Sequence, residues 1–224
     1  TWFAFSTRAR VIIYNRSAVK AEEVQTYESL ADPQLKGKLC TRSGAHPYNL
    51  SLVSSLIAHN GEAKTEAWAR GVVTNFARAP KGGDTDQIKA VAAGECGVAV
   101  SNTYYLARLI RSDKVDDRRM MERVGIVWPN QATTGTHINI SGGGMVKTSK
   151  NQESAVKFLE YLARDDAQRY FADGNNEWPV VESVITSNPA LTALGKFKAD
   201  TLPIAMLAKN MVAAQMVLDR AGYR

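Results

Sequence analysis

Apolar positions along this chain fall into short runs bounded by turn residues, and the runs switch between strand-like and helix-like spacing. Val11-Ile12-Ile13-Tyr14 is a β-branched run of the buried kind, with Asn15-Arg16-Ser17 as its exit. Lys38-Leu39-Cys40-Thr41, Cys96-Gly97-Val98-Ala99-Val100 and Val124-Gly125-Ile126-Val127-Trp128 read as further short strands, the last ended by Pro129. Thr136 to Ser141 alternates polar and apolar, and Gly142-Gly143-Gly144 follows, a pattern that suits a hinge strand because glycine absorbs backbone change at little steric cost. Helical spacing is predicted from Asn49 to Asn60, Glu62 to Asn75, Gln87 to Ala93, Leu106 to Ile110, Asn151 to Phe171 and Leu202 to Ala221. Glu28 to Pro33 reads as a short helix closed by proline, Arg111 to Arg123 as a solvated connection and helix, and Glu177 to Val181 as a short extended element. Strands alternating with helices predict an α/β fold.

One unit occurs twice. The strand at Lys38 to Thr41 leads through Arg42-Ser43-Gly44-Ala45-His46-Pro47 to Tyr48 and then a helix. The strand at Cys96 to Val100 leads through Ser101-Asn102-Thr103 to Tyr104-Tyr105 and then a helix. In a strand, neighbouring rings point to opposite faces, so Tyr104 and Tyr105 serve one site only from a strand end or a first helical turn. Ser101, Asn102 and Thr103 are all N-cap residues, which favours the helix start, where free N–H groups lower the cost of a phenolate. If the two strands are parallel neighbours, Tyr48, Tyr104 and Tyr105 all arrive at the carboxyl edge of the sheet, the usual place for a ligand in open α/β folds.

Composition narrows the class. The 224 residues are 45% hydrophobic and 22% charged, as for a soluble globular protein of one or two domains. The net charge of +6 is spread rather than striped, which speaks for a small anionic ligand at most and against nucleic acid. No apolar run is long enough to cross a bilayer. The opening Thr1-Trp2-Phe3-Ala4-Phe5 reads as the interior of an element, so a signal peptide and N-terminal segment are expected to be absent from the chain. Cys40 and Cys96 sit in the two strands that carry the tyrosine turns: neighbouring strands would permit a disulfide and imply an oxidising compartment, and otherwise the two are small buried hydrophobes.

Other residues offer alternative chemistry. Arg8 and Arg10 share one face of an extended segment, where paired guanidiniums suit a carboxylate or oxyanion or are simply solvated charges. A receptor for a small oxyanion or polyamine is therefore one competing function. Ser141 with Gly142-Gly143-Gly144 after His137 allows a remote hydrolase reading, but no Gly-x-Ser-x-Gly turn exists. The Gly82-Gly83 loop lacks a full phosphate-binding pattern and reads as a turn. His137 reads as a hydrogen-bonded strand residue, His46 as a neighbour of Tyr48, and His59 as a helix-end histidine favoured by the dipole. Tyr14, Tyr27, Tyr161, Tyr170 and Tyr223 are taken as packing residues.

Six pieces carry a family resemblance across nearly the whole chain: Ser6 to Val11, Arg42 to Asn49, Ala90 to Glu95, Asn102 to Tyr105, His137 to Gly142, and Glu177 to Val180. Together they resemble a periplasmic ferric-iron-binding protein, the substrate-binding component of an Fe(III) ABC transporter, with Trp178 standing where that family usually has tyrosine. The resemblance implies a two-lobed α/β receptor of periplasmic-binding-protein type (class II, transferrin-like lobes) with its N-terminal lobe incomplete. It implies a crossing strand in residues 1–10, a second lobe carrying the tyrosines in 11–134, a hinge strand and return to the first lobe in 135–185, and C-terminal helices packing on the second lobe in 186–224. By the same resemblance Tyr48, Tyr104 and Tyr105 ligate ferric iron, Arg8 hydrogen-bonds a ligand phenolate or a synergistic anion such as carbonate, and a monomeric protein hands iron to an inner-membrane ABC permease. The chemistry agrees: Fe(III) is hard and highly charged, and three phenolates offset its three charges. Zinc would call for Cys or His and calcium for clustered carboxylates, neither of which surrounds these tyrosines.

Overall fold

The computed structural model describes residues 2–224. The strands are β1 (Trp2–Asn15), β2 (Leu39–Cys40), β3 (Val98–Asn102), β4 (Val124–Val127), β5 (Ile138–Gly144) and β6 (Trp178–Pro179). The α-helices are α1 (Pro47–Asn60), α2 (Glu62–Thr74), α3 (Asp84–Ala93), α4 (Thr103–Ile110), α5 (Val115–Glu122), α6 (Gln152–Leu162), α7 (Asp165–Asn175), α8 (Pro189–Leu194) and α9 (Ile204–Ala221). The short helix expected at Glu28 to Pro33 is a 3-10 turn over Glu28–Ala31 that ends before Pro33, and further 3-10 turns form at Ala21–Val24 and Pro33–Leu35.

β1 organises the molecule by belonging to two sheets. Its first half pairs antiparallel with β5 and, at Ser6 and Thr7, with β6, while Arg10 to Asn15 pairs antiparallel with β3 and β4. β2 lies parallel to β3, with Leu39 opposite Val98 and Cys40 opposite Ala99. The second half of β1 is buried on both faces, as its β-branched run predicts. Alternation of side chains divides it: Ile12, Val98 and Val100 join Leu52, Leu56, Val72 and Leu218 in a layer beneath α1, α2 and α9. Val11, Ile13 and Ala99 join Cys40, Ile88, Val91, Cys96 and Leu106 beneath α3 and α4 on the other face. Cys40 and Cys96 are joined as a disulfide within that layer, their Cα atoms 5.7 Å apart.

Three expectations need correction. Residues 151–171 form two helices instead of one: Arg164 is extended, and Asp165-Asp166 start α7, where carboxylates meet the positive end of a helix. Gly142, Gly143 and Gly144 do not follow the strand but are part of β5, opposite Ala4, Phe3 and Trp2, and a side chain at Gly142 would run into the backbone of Phe3. Tyr161 and Tyr170 are exposed rather than packed, and so is Phe158 on α6. Among the described residues, no helix is long and apolar enough to cross a membrane.

Candidate functional site

Because β2 and β3 are parallel neighbours, the turns that leave them emerge at one sheet edge. α1 starts with Pro47 at its first position and His46 as N-cap, whose Nδ1 accepts from Tyr48 N at 3.2 Å. Tyr48 therefore lies inside the first turn of α1 instead of preceding the helix, because proline's fixed φ favours helix entry one residue earlier than the polar run suggests. Asn102 is the N-cap of α4, which places Tyr104 and Tyr105 in its first turn. Both tyrosine-bearing turns are thus helix N-termini, and all three rings are half-buried.

The phenols converge. The hydroxyls of Tyr48 and Tyr104 are 2.8 Å apart, and the Tyr104 and Tyr105 ring centroids are 4.2 Å apart. Burial, followed by the neighbouring Tyr105 and Tyr48 hydroxyls, holds the Tyr104 phenol well above its ordinary range. Its proton is retained until something more positive replaces it. Among the described residues, no cluster of three or more His, Cys, Asp or Glu side chains is placed to hold a metal ion, so phenol oxygens are the donor set that this edge offers.

Behind the phenols lies a layer of charge. The guanidinium carbons of Arg8, Arg10 and Arg42 stand 6.0, 5.7 and 4.9 Å from the centroid of the Tyr48 ring. Arg10 is buried and occupied: Nη1 donates to Asp84 Oδ2 and Asn102 Oδ1, each at 3.0 Å, and Nη2 to Asn49 Oδ1 at 2.9 Å. Its Nε, like that of Arg8, has no partner, and both arginines line one small cavity beside Tyr48. Arg8 donates to Ser141 Oγ at 2.7 Å and lies 3.7 Å from Glu177 Oε1, leaving its Nε without a partner. Glu177 also accepts from Ser141 Oγ at 3.0 Å and from Ser6 Oγ. Ser141 is thereby a bridge between Arg8 and Glu177. His137 turns away from it to Ser51 Oγ at 3.0 Å, so the pair forms no nucleophile and base.

The histidines are structural. His137 is fully buried and pushed down to about 3 by desolvation, so it is neutral at physiological pH. His46 packs edge-on against Tyr48, and burial and then Arg42 lower its pKa. His59 meets Asp200 at 2.9 Å, a partner the helix-end reading did not foresee. Tyr223 is buried with its hydroxyl on Thr41 Oγ1 and Asn49 Nδ2, and burial pushes its pKa up to about 12.

Sequence reasoning gave no role to Asp84, Arg42, Asn49, Asn102 or Glu177 as supports. Asp84 is the least visible, since helix-cap chemistry in the Gly82-Gly83 loop explains it without remainder. Its carboxylate instead accepts from Arg42 Nη1 at 3.0 Å and Asn102 N at 2.8 Å as well as from Arg10.

This architecture has known counterparts. A family model described as bacterial extracellular solute-binding protein matches residues 1–196. Iron uptake protein A1 of Synechocystis sp. is 46% identical over 223 residues, which cover all of this chain and 62% of that relative. A solved Trichodesmium protein (IdiA, FutA), in complex with iron and citrate ligands, superposes with a TM-score of 0.94 at 49% identity, over 100% of this chain and 70% of that one. The ferric binding protein from Campylobacter jejuni superposes with a TM-score of 0.94 at 41% identity, over 100% and 71%. The chain thus spans just under two thirds of the length of the Synechocystis relative, and its α/β architecture is that of two-lobed periplasmic binding proteins. On the strength of the family match and these identities, the chain belongs to the bacterial extracellular solute-binding protein family, whose members bind and carry solutes rather than transform them.

Proposed function

We propose that this protein binds ferric iron as cargo through the phenolates of Tyr48, Tyr104 and Tyr105 and delivers it, from the periplasm, to an inner-membrane ABC permease. The observation that carries the reading is the 2.8 Å contact between the Tyr48 and Tyr104 hydroxyls, with the Tyr105 ring tilted against that of Tyr104 at the edge where two helices begin. The buried Tyr104 phenol, crowded by its neighbours, holds its proton, and a small trivalent cation that displaces it relieves the crowding and neutralises the charge that forms. Among the described residues no cluster of His, Cys, Asp or Glu competes with the phenols for a metal ion, which favours Fe(III) over Zn(II). The names of the relatives, iron uptake and ferric binding proteins, support the same cargo.

Arg8 supports a place for an accompanying anion such as carbonate, because its guanidinium stands beside the Tyr48 ring with Nε unpartnered. Lobe closure around the ion is supported by β1, whose halves belong to different sheets. In this reading residues 1–10 form a crossing strand, 11–134 the lobe that carries the tyrosines, and 135–185 the hinge strand and the return. Residues 186–224 add C-terminal helices, α9 lying on α1 and α2.

Titration with ferric ion tests the proposal. Saturation is expected to produce a visible phenolate-to-iron charge-transfer band at one ion per chain. A protein that stays colourless with iron, and binds a small oxyanion instead, would overturn it in favour of an anion receptor.

A further inference from the structure

We infer that Asp84 is a positioning residue: its one buried carboxylate ties the two tyrosine-bearing turns together and sets the distance between Tyr48 and the Tyr104-Tyr105 pair. The inference rests on the phenolate reading for its consequence but not for its geometry. Asp84 opens α3 and is completely buried. Oδ1 accepts from Arg42 Nη1 at 3.0 Å, and Arg42 lies in the turn that precedes α1 and stacks closest of the three arginines to the Tyr48 ring. Oδ2 accepts from Asn102 N at 2.8 Å, and Asn102 is the cap from which Tyr104 and Tyr105 follow. The same Oδ2 accepts from Arg10 Nη1 at 3.0 Å, fixing the pair of turns to β1.

The tie is needed because the sheet does not supply it. β2 and β3 are in register only at Leu39 and Cys40, and the loop from Thr41 to Ala45 runs beyond the last ladder pair. Past that point, Asp84, Asn49 and Tyr223 are bonded to the loop by their side chains, but Asn49 belongs to α1 itself and moves with Tyr48, and Tyr223 meets Thr41 and Asn49 on the Tyr48 side only. Asp84 comes from a third element and touches both turns directly, and it also fixes Arg10, which joins Asn49 to Asn102 from β1. Its charge also matters: buried Arg10 and largely buried Arg42 face one carboxylate, and without it two guanidiniums would lie close together unpaired. An asparagine there would keep one acceptor and turn an amino group toward donors.

The test compares Asp84→Asn and Arg42→Gln with the unaltered protein in three measurements: the iron-free crystal structure, the charge-transfer band per bound iron, and the rate of iron release to excess citrate. Both variants are expected to part the Tyr48 and Tyr104 hydroxyls beyond hydrogen-bonding range. Both should also shift or weaken the band and speed release by about 10- to 100-fold, the usual cost of losing a support behind a metal ligand. Loss of thermal stability alone, with the hydroxyl contact, the band and the release rate unchanged, would overturn the inference. If Asp84→Asn does not fold, Arg42→Gln decides, since it cuts only the arm to the first turn and Arg42 is partly exposed. If the unaltered protein takes up no iron, the functional proposal fails, and the crystal structures of the variants decide the positioning role by themselves.

Discussion

Tyr104 is where the chemistry of single residues is most concentrated. Its hydroxyl already meets that of Tyr48, so removing the oxygen by Tyr104→Phe takes away a ligand without opening a cavity. The variant is expected to keep its thermal stability within about 1 kcal/mol, as for other shape-conserving changes. Its affinity for ferric iron should fall by at least tenfold, with a weaker visible band, and an unchanged titration would remove Tyr104 from the site. His137 carries a prediction of opposite character. Its pKa is about 3 in the folded protein against an ordinary value near 6.5, so the unfolded chain binds a proton that the folded chain refuses. Stability is therefore fully present above about pH 6.5 and is lost as pH falls from there toward 3, by a few kcal/mol. Urea unfolding across that window should show the decline, and His137→Asn, which keeps a hydrogen-bonding group toward Ser51 but does not titrate, should flatten it.

Elements add what residues cannot, namely the relation between the two turns. Gly44 sits where a side chain would overlap the backbone oxygen of Tyr223, so the Arg42 to Pro47 turn lies directly on the C-terminal end of the chain. Tyr223 in turn holds Thr41 and Asn49 through its hydroxyl. Gly44→Ala is expected to destabilise the fold by about 1–3 kcal/mol, the range for overpacking a filled site, with a matching fall in thermal midpoint. A wild-type midpoint would mean that the turn gives way freely. The strands beneath are joined by the Cys40–Cys96 disulfide across 56 residues of sequence, a loop for which chain entropy gives about 4 kcal/mol. Reduction, or the double change to alanine, should lower the unfolding free energy by about 2–4 kcal/mol in denaturant titrations. Equal stability of the two forms would show that the reduced chain keeps the loop closed by other means.

At the scale of the whole molecule, the two sheets that share β1 are also joined at a distance from the tyrosines. Phe197 stacks on Trp128, just past β4, at 4.1 Å, and lies 5.4 Å from Trp178 in β6. Trp128 thus follows one sheet and Trp178 belongs to the other, with Phe197 between them. Phe197→Ala is expected to lower stability by about 1–2 kcal/mol, since each aromatic contact contributes about 0.5–1.5 kcal/mol beyond burial. It should also move the tryptophan emission to longer wavelength. Unchanged emission would mean that the stack is not maintained in solution.

How much of this the sequence determined by itself follows from the range of the forces involved. The buried run at Val11 to Tyr14 and the repeated strand, turn, tyrosine and helix unit are local patterns, and they bring Tyr48, Tyr104 and Tyr105 to one sheet edge on the condition that the two short strands pair in parallel, which the tertiary structure supplies. The break of residues 151–171 into α6 and α7, and the strand geometry of Gly142 to Gly144, were not legible, because apolar spacing runs on through the break and glycine is equally at home in a hinge. Tertiary structure alone decided the supports. Asp84, Arg10, Arg42 and Asn102 are separated by up to 92 residues, and which carboxylate neutralises which guanidinium depends on distances that only folding creates. A ligand can announce itself by residue type and a local repeat, whereas the charge that holds it in place is settled by whatever the fold brings alongside.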